Sequence, residues 1–342
     1  MIYCNNLDFA CRGDGEEVLP FINNDPSNLP NLVWRRNGDI ILNPRQFVDI
    51  NKYPMPALDL LRPDTNPAAP IGIFSSKRRI AQIIATRGCY YPCTFCGVPS
   101  ISGKNIRLRK YEHILQEIEI LISRYNIEEI HFIDDNITAS PRNWFINLLE
   151  ELIHSKFPAR YAFPSGIRID SLDDQICELM KRAGVYSFAV GIESANQKTI
   201  DLLGKKLNIN IVQKKLEIIS KYKFDVQGCF ILGHPSESLM DMIRTIGFAC
   251  KSRITRAGFF VFTPFPGSKE WNSIRSRYPM KEWQNIISKF NIYSHPPEIE
   301  RRISNFTLKC IQLYAYLRFY LRPKILIKIL SRIKTFFQIK LF

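Results

Sequence analysis

Residues 80–97 read IAQIIATRGCYYPCTFCG: an apolar, strand-like run that breaks into a loop with cysteines at 89, 93 and 96. Intervals of four and three residues put three thiolates on one short loop. Three soft ligands from one loop suit an iron–sulfur cluster. Zinc suits them less well, because it wants a fourth ligand nearby and no histidine lies within ten residues of the triplet. A cubane needs four ligands. Three cysteines therefore leave one iron open, and an open metal position does chemistry.

Outward from this loop, the pattern is of alternating strands and helices. Apolar, β-rich runs fall near 81–86, 129–133, 160–166, 186–191, 225–231 and 257–262. Between the first two, Ile114, Ile118, Leu121 and Tyr125 recur at helical spacing over 111–125. The segments 141–154, 172–183, 209–222 and 236–250 also read as helices. Six strands about 26 to 48 residues apart, with helices between, predict an α/β fold with a parallel sheet. Ligands of such folds gather at the C-terminal strand ends. The cysteine loop lies on that edge. So do Asp134, Asp135 and Asn136; Gly166 and Arg168; Gly191, Glu193 and Ser194; Gly233, His234 and Pro235; and Pro264, Pro266 and Gly267.

The chain has 342 residues, 46% of them hydrophobic, enough for one large domain or two ordinary ones. Nine cysteines, an odd number scattered apart from the triplet, argue against a secreted disulfide scaffold. The start is polar and lacks an apolar h-region, and no apolar run reaches membrane-spanning length. We expect a cytoplasmic chain. The net charge is +15, but residues 301–342 hold ten Lys or Arg and no acid, which leaves +5 for the rest. The basic character belongs to a tail and predicts no nucleic-acid partner for the core.

The residues around the triplet resemble a known family. CYYPCTFC is the C-x3-C-x2-C motif of the radical S-adenosylmethionine enzymes. IHFIDDN (130–136), GIRID (166–170), GIESANQKTIDLLGKK (191–206), GCFILGHPSES (228–238) and FTPFPGS (262–268) resemble the subgroup with an N-terminal cobalamin-binding domain. The resemblance covers about residues 80–270. It implies a partial (β/α)6 TIM-like barrel. Cys89, Cys93 and Cys96 would hold three irons of a [4Fe–4S] cluster, and S-adenosyl-L-methionine would chelate the fourth. An electron from an external donor of the flavodoxin or ferredoxin type would split the sulfonium to give a 5′-deoxyadenosyl radical. Phe95 would flank the adenine. Glu193 and Arg168 would contact the methionine, carboxylate or ribose part, with Asp134 and Asp135 lining the cofactor or substrate side of the rim.

RGDGEEVLPFI (12–22) resembles the closing segment of the cobalamin-binding domain. The corrinoid-ligating Asp-x-His-x-x-Gly does not occur, and the first histidine is His113. Cobalamin is therefore doubtful. Three alternatives stand: a truncated gene product, a reaction without cobalamin, or a corrinoid supplied by another chain. The expected organisation is a remnant of that domain plus linker over 1–75, the barrel over 76–275, and a helical extension with a basic tail over 276–342.

Plainer readings stand beside these. Asp134 and Asp135 can cap a helix, Glu193 can be a helix N-terminal charge, and His234 a loop histidine held by backbone groups. Cys177, Cys229 and Cys250 read as core, Pro266–Gly267 as a turn, and GDGEE (13–17) as an isolated turn. In the tail, Lys324, Lys328 and Arg332 share one helical side, and Ile325, Leu326, Ile329, Leu330, Ile333, Phe336 and Phe337 fill most of the rest. Residues 323–342 can lie on the inner membrane surface, pack on the barrel or in an oligomer, or bind nucleic acid. The leading function is a radical enzyme acting on a small-molecule or lipid-like substrate by methylation, cyclisation or oxidative rearrangement. No second tight cysteine group exists, so no auxiliary cluster is expected. The alternative is a non-catalytic iron–sulfur interaction protein or a fragment of a corrinoid-dependent methyltransferase.

Overall fold

A computed structural model describes residues 7–65, 75–275 and 303–330 of the chain. The first stretch contains β1 (Phe9–Cys11), β2 (Leu32–Arg36) and β3 (Asp39–Leu42), an antiparallel sheet in that order, and the short α1 (Leu58–Leu61). The sequence predicts no periodic element here. Strands of three, five and four residues are too short to display a period.

The main sheet opens with β4 (Ile80–Ile83). The chain then passes through β5 (Thr86–Arg87), the cysteine loop, α2 (Val98–Ile101) and β6 (Arg107–Leu108), which pairs antiparallel with β5. Helix and strand alternate from there: α3 (Tyr111–Tyr125), β7 (Glu129–Phe132), α4 (Arg142–Ser155), β8 (Arg160–Ile167), α5 (Asp174–Arg182), β9 (Val185–Glu193), α6 (Gln197–Leu202), α7 (Ile209–Lys221), β10 (Asp225–Leu232), α8 (Leu239–Lys251), β11 (Arg256–Val261) and α9 (Lys269–Arg275). The strand order is β11-β10-β9-β8-β7-β4, and every pair is parallel. Among the described residues β4 and β11 do not pair, so the sheet is an open, partial (β/α)6 barrel. The strands and long helices lie within a few residues of their expected positions. The helices α6 and α9, of six and seven residues, make under two turns each and give no readable helical period.

Local chemistry explains these boundaries. The helix α3 buries Ile114, Ile118 and Leu121 along one face and ends at Asn126, whose left-handed φ of 53° suits a helix stop. A capping box between Ser238 and Asp241 starts α8. One face of the sheet is apolar: Ala81 and Ile83, Ile130 and Phe132, Tyr161 and Phe163, Phe188 and Val190, Val226 and Phe230, and Ala257 and Phe259 join the helices in a single core. Each large apolar side chain there contributes about 1.5–3 kcal/mol. The alternate residues, among them Gln82, His131, Ser187, Gln227 and Arg256, occupy the inner face of the partial barrel.

The open edge at β11 is covered by the helix Asn305–Tyr320. Tyr320 Oη accepts from the Ala257 N–H at 3.2 Å and donates to the Ala257 carbonyl at 2.9 Å. Tyr316 Oη accepts from the Phe259 N–H at 3.2 Å, and Gln312 Nε2 donates to the Phe259 carbonyl at 2.7 Å. Side chains thus complete the ladder where a seventh strand would otherwise be invited. In the following helix, Pro323–Leu330, Ile325 and Ile329 join the core and Lys328 Nζ lies 3.2 Å from Asp225 Oδ1. That stretch of the tail packs on the barrel; residues 331–342 lie outside the described residues.

Candidate active site

The three cysteines sit half-buried and free on the loop after β5. Backbone bonds fix the loop on both sides: Cys89 N–H donates to the Gly103 carbonyl at 3.2 Å, and Thr94 N–H to the Leu203 carbonyl at 2.9 Å. Gly88, at φ 97°, makes the turn into Cys89, and a Cβ there would collide with the Asn105 carbonyl oxygen. Burial pushes the Cys93 thiol up and Lys205 pulls it partly back. Burial pushes Cys96 up to about 11. Among the described residues, no three His, Cys, Asp or Glu side chains are gathered tightly enough for one metal ion. A cubane takes one thiolate at each of three irons, and three free thiols on one loop are the donor set such a cluster would use.

The two aspartates after β7 hold the near arm of the loop. Asp134 Oδ1 accepts from the Ala85 N–H at 3.0 Å, the Thr86 hydroxyl at 2.8 Å and the Thr86 N–H. Its Oδ2 is buried without a partner. Burial raises this carboxyl to about 7, against the bonds from Thr86 and Ala85. Asp135 Oδ2 accepts from the Gly88 N–H at 2.9 Å. GDGEE, read from sequence as an isolated turn, clamps the same arm from outside. Arg87 pairs with Asp14 at 3.0 Å and Glu16 at 2.6 Å, and Arg107 also pairs with Asp14.

The far arm rests on residues 203–206. Arg168 is buried; it forks onto Asp170 at 2.9 and 2.7 Å, donates to the Lys205 and Lys206 carbonyls at 2.9 and 3.2 Å, and lies 3.8 Å over the Tyr91 ring. Glu193 ends β9 in a left-handed conformation, φ 68°, where the β9–β10 register shifts. Its Oε1 accepts from Lys205 Nζ at 2.7 Å. Burial works against the Lys205 charge, but Glu193 and Cys93 hold its ammonium above the usual range. Phe95 packs on Leu203, Ile231 and Phe262. The structure therefore brings Arg168, Glu193 and Phe95 together with the cysteines through one hub, Leu203–Lys206. Lys205 was not singled out from sequence; its only signal is its place in the GKK run.

Beside this hub, the inner face carries two glycines that flank a cysteine. Gly191, Cys229 and Gly258 stand in register across β9, β10 and β11. A Cβ on Gly191 would stand 2.5 Å from Glu193 Oε1 and 2.6 Å from Lys205 Nζ. One on Gly258 would stand 2.7 Å from the Phe260 ring. Cys229 is half-buried on the inner face rather than in the apolar core; Cys250 is half-buried and packs against that core, and Cys177 is buried in it, as expected. The missing side chains of this glycine shelf let Glu193 and Lys205 lie down over Gly191 and the Phe260 ring over Gly258. Glu237, also missed from sequence, links two strand ends by accepting from Gly233 N–H at 3.0 Å and the Ser194 hydroxyl at 3.2 Å; burial pushes it up to about 7. His234 is held by Ser236 at 2.7 Å and edges the Phe262 ring.

Comparison with known proteins agrees with this geometry. The profile of the Radical SAM superfamily matches residues 83–249. An uncharacterized methyltransferase of Pyrococcus horikoshii is 27% identical over 95% of this chain and 70% of its own length. The bacteriochlorophyllide d C-12(1)-methyltransferase of Chlorobaculum tepidum is 28% identical over 67% of this chain and 50% of its own. The solved structure of the cobalamin-dependent S-adenosylmethionine radical enzyme OxsB, with aqua-cobalamin and S-adenosylmethionine bound, shares the fold. It superposes with a TM-score of 0.72 at 13% identity, over 94% of this chain and 54% of OxsB. The chain thus spans about half the length of two of these three proteins. With the C-x3-C-x2-C loop on the rim of a parallel sheet and the family profile running from the end of β4 through most of α8, residues 83–249 of the chain are a domain of the radical S-adenosylmethionine superfamily.

Proposed function

We propose that the chain is a radical S-adenosylmethionine enzyme whose substrate is a small or lipid-like molecule. The carrying observation is the rim itself: three free cysteines on a loop braced at both arms, beside a glycine shelf and a buried Lys205–Glu193 pair. In this family the cofactors are a [4Fe–4S] cluster and S-adenosyl-L-methionine, which together supply a 5′-deoxyadenosyl radical able to take hydrogen from carbon. Cys89, Cys93 and Cys96 would hold the cluster. Lys205, Glu193 and Arg168 offer paired charge for the amino-acid and ribose groups, and Phe95 an apolar wall for the adenine. Asp134 and Asp135 act on the loop's backbone and so position the cysteines rather than touch the cofactor. The partial barrel shields the site from water, as radical chemistry requires.

Both curated relatives described above are named methyltransferases, which favours alkylation at carbon; cyclisation or rearrangement can share the same first step. An external one-electron donor of the flavodoxin or ferredoxin type would supply the electron, and the basic tail would bring the enzyme to a membrane surface. Residues 9–42 form a three-stranded antiparallel sheet rather than a doubly wound corrinoid-binding unit, and the sequence holds no Asp-x-His-x-x-Gly.

The test is anaerobic reconstitution with iron and sulfide, followed by reduction and assay for 5′-deoxyadenosine. We expect about four irons per chain and reductant-dependent 5′-deoxyadenosine, both lost in Cys93→Ala. A fully loaded cluster that never cleaves the cofactor would sink the catalytic reading.

A further inference from the structure

The helix Asn305–Tyr320 is apolar on both sides. Its inner face, Leu308, Ile311, Ala315 and Phe319, is buried against the barrel. Its outer face carries Phe306, Leu313, Leu317 and Leu321 at spacings of seven and four, so they form one stripe. Phe306 is 77% exposed, Leu313 61% and Leu321 62%. Ile327 and Leu330 of the next helix add to the exposed apolar surface. A stripe of this kind on a folded domain marks an interaction surface.

Its charge selects the occupant. Lys309, Arg318 and Lys324 are exposed along these helices, and residues 301–342 contain no acid. A second copy docking here by two-fold symmetry would set these cations against one another with no carboxylate between them. An anionic bilayer gives each cation a counter-charge and takes the leucines into the acyl boundary. We propose that the outer face of Asn305–Tyr320, rather than the extreme tail alone, lays the barrel flat on an anionic membrane surface. The segment read from sequence as the membrane element begins with Pro323–Leu330. Its Ile325, Ile329 and Lys328 are engaged with the barrel, so that helix anchors the stripe instead of replacing it. The inference rests on the lipid-like substrate reading only for its purpose, not for its physics.

The experiment is co-sedimentation of the cluster-loaded full chain with vesicles of phosphatidylglycerol and phosphatidylcholine, or of phosphatidylcholine alone. We expect binding to the anionic vesicles only, weakened at about 1 M salt, where the Debye length is about 3 Å. The double variant Leu313→Asp/Leu317→Asp should bind at least about tenfold more weakly, since two exposed leucines that would enter the acyl boundary are replaced by charges. Its iron content and 5′-deoxyadenosine yield on free cofactor should stay unchanged, which shows that it is folded. Deleting 331–342 should reduce binding less than the double variant does. Equal sedimentation of wild type and double variant would overturn the proposal. So would a concentration-dependent dimer in light scattering that the double variant abolishes, because that assigns the stripe to a second copy. Binding without 5′-deoxyadenosine formation would fault the catalytic reading and leave the docking surface standing; the reverse result would fault docking alone.

Discussion

Two buried carboxylates flank one strand, and they are treated in opposite ways. Glu129 begins β7 and is fully occupied. It accepts from Ser76 N–H at 2.9 Å, Ser76 Oγ at 2.6 Å, Lys77 N–H at 2.9 Å and Tyr186 Oη, and it pairs with His131 Nε2 at 2.6 Å. Burial pushes it up, but the bonds from His131, Ser76 and Tyr186 prevail and hold it below the ordinary range. Asp134 follows the same strand at the other end. One of its oxygens is saturated and the other is buried with no partner, and burial lifts it to about 7. At the N-terminal end the carboxylate is saturated, although His131 Nδ1 beside it is buried without a partner, and residues there serve stability. The C-terminal end keeps one carboxylate oxygen without a partner beside the cysteine loop and the Lys205–Glu193 pair, where residues serve chemistry.

The largest expected effect tests the closed end. Glu129→Ala removes the acceptor for several donors and leaves His131 and Tyr186 buried beside a void. We expect a loss of about 3–5 kcal/mol in unfolding free energy, read by denaturant titration, with the cysteine loop's iron capacity intact in whatever fraction folds. A variant as stable as wild type would mean that this network is not what closes the barrel.

Gly191→Ala tests the open end. Its methyl would meet the Glu193–Lys205 pair at 2.5 and 2.6 Å. Long side chains can yield, so folding should survive while the shelf narrows. Binding of S-adenosyl-L-methionine, measured by equilibrium dialysis on the reconstituted protein, should weaken by about tenfold or more. If the variant instead loses stability on the scale of Glu129→Ala with affinity unchanged, the division between the two ends fails.

Much of this was legible in the chain and some was not. Periodicity located the six strands because each is a run of β-branched and aromatic residues between long amphipathic helices. The strand ends stood out because Asp, Arg, Glu and His are costly beside apolar runs. Three things stayed hidden for physical reasons. The antiparallel N-terminal sheet is made of strands too short to show a period. The hub at Leu203–Lys206 works largely through backbone carbonyls and one lysine, which composition cannot distinguish from a solvated turn. Glu129 reads as an ordinary member of an alternating strand, since nothing local shows that Tyr186 and Ser76, far away in sequence, donate to it. Asp134 and Asp135 stand out after their strand, yet the contacts of Asp134 Oδ1 and Asp135 Oδ2 with the backbone of residues 85–88 join segments distant in sequence.

Asp134→Asn sharpens the comparison through pH. A carboxyl raised in the folded state contributes stability that is present below its unfolded value of 3.8 and lost as pH rises through about 7. The neutral amide keeps an acceptor for the Ala85 and Thr86 N–H groups and removes the titration. The thermal midpoint of the variant should therefore fall less than that of wild type between pH of about 4 and about 7. Glu129 runs the other way: its lowered value gives stability that is lost as pH falls through it. Glu129→Gln should accordingly flatten the acid limb alone. Parallel curves for Asp134→Asn and wild type across that window would show that the unpartnered oxygen does not govern the charge there.

The smallest effect concerns the edge between the two ends. Tyr320→Phe deletes one hydroxyl that both accepts from and donates to Ala257, the first lumen-distal residue of β11. The ring and its packing remain, so the loss is that of hydrogen bonds at a partly covered edge, about 1 kcal/mol. The effect should also be local. Amide exchange at Ala257 should speed up while Phe259, still bonded to Tyr316, keeps its protection. Iron content and 5′-deoxyadenosine yield should not move, because the hydroxyl stands on the helix side of the sheet and the chemistry on the other. A change at the cysteine loop would show instead that the β11 edge and the rim open as one unit, and the satisfied and under-bonded regions would then be two parts of a single cooperative element rather than separate devices.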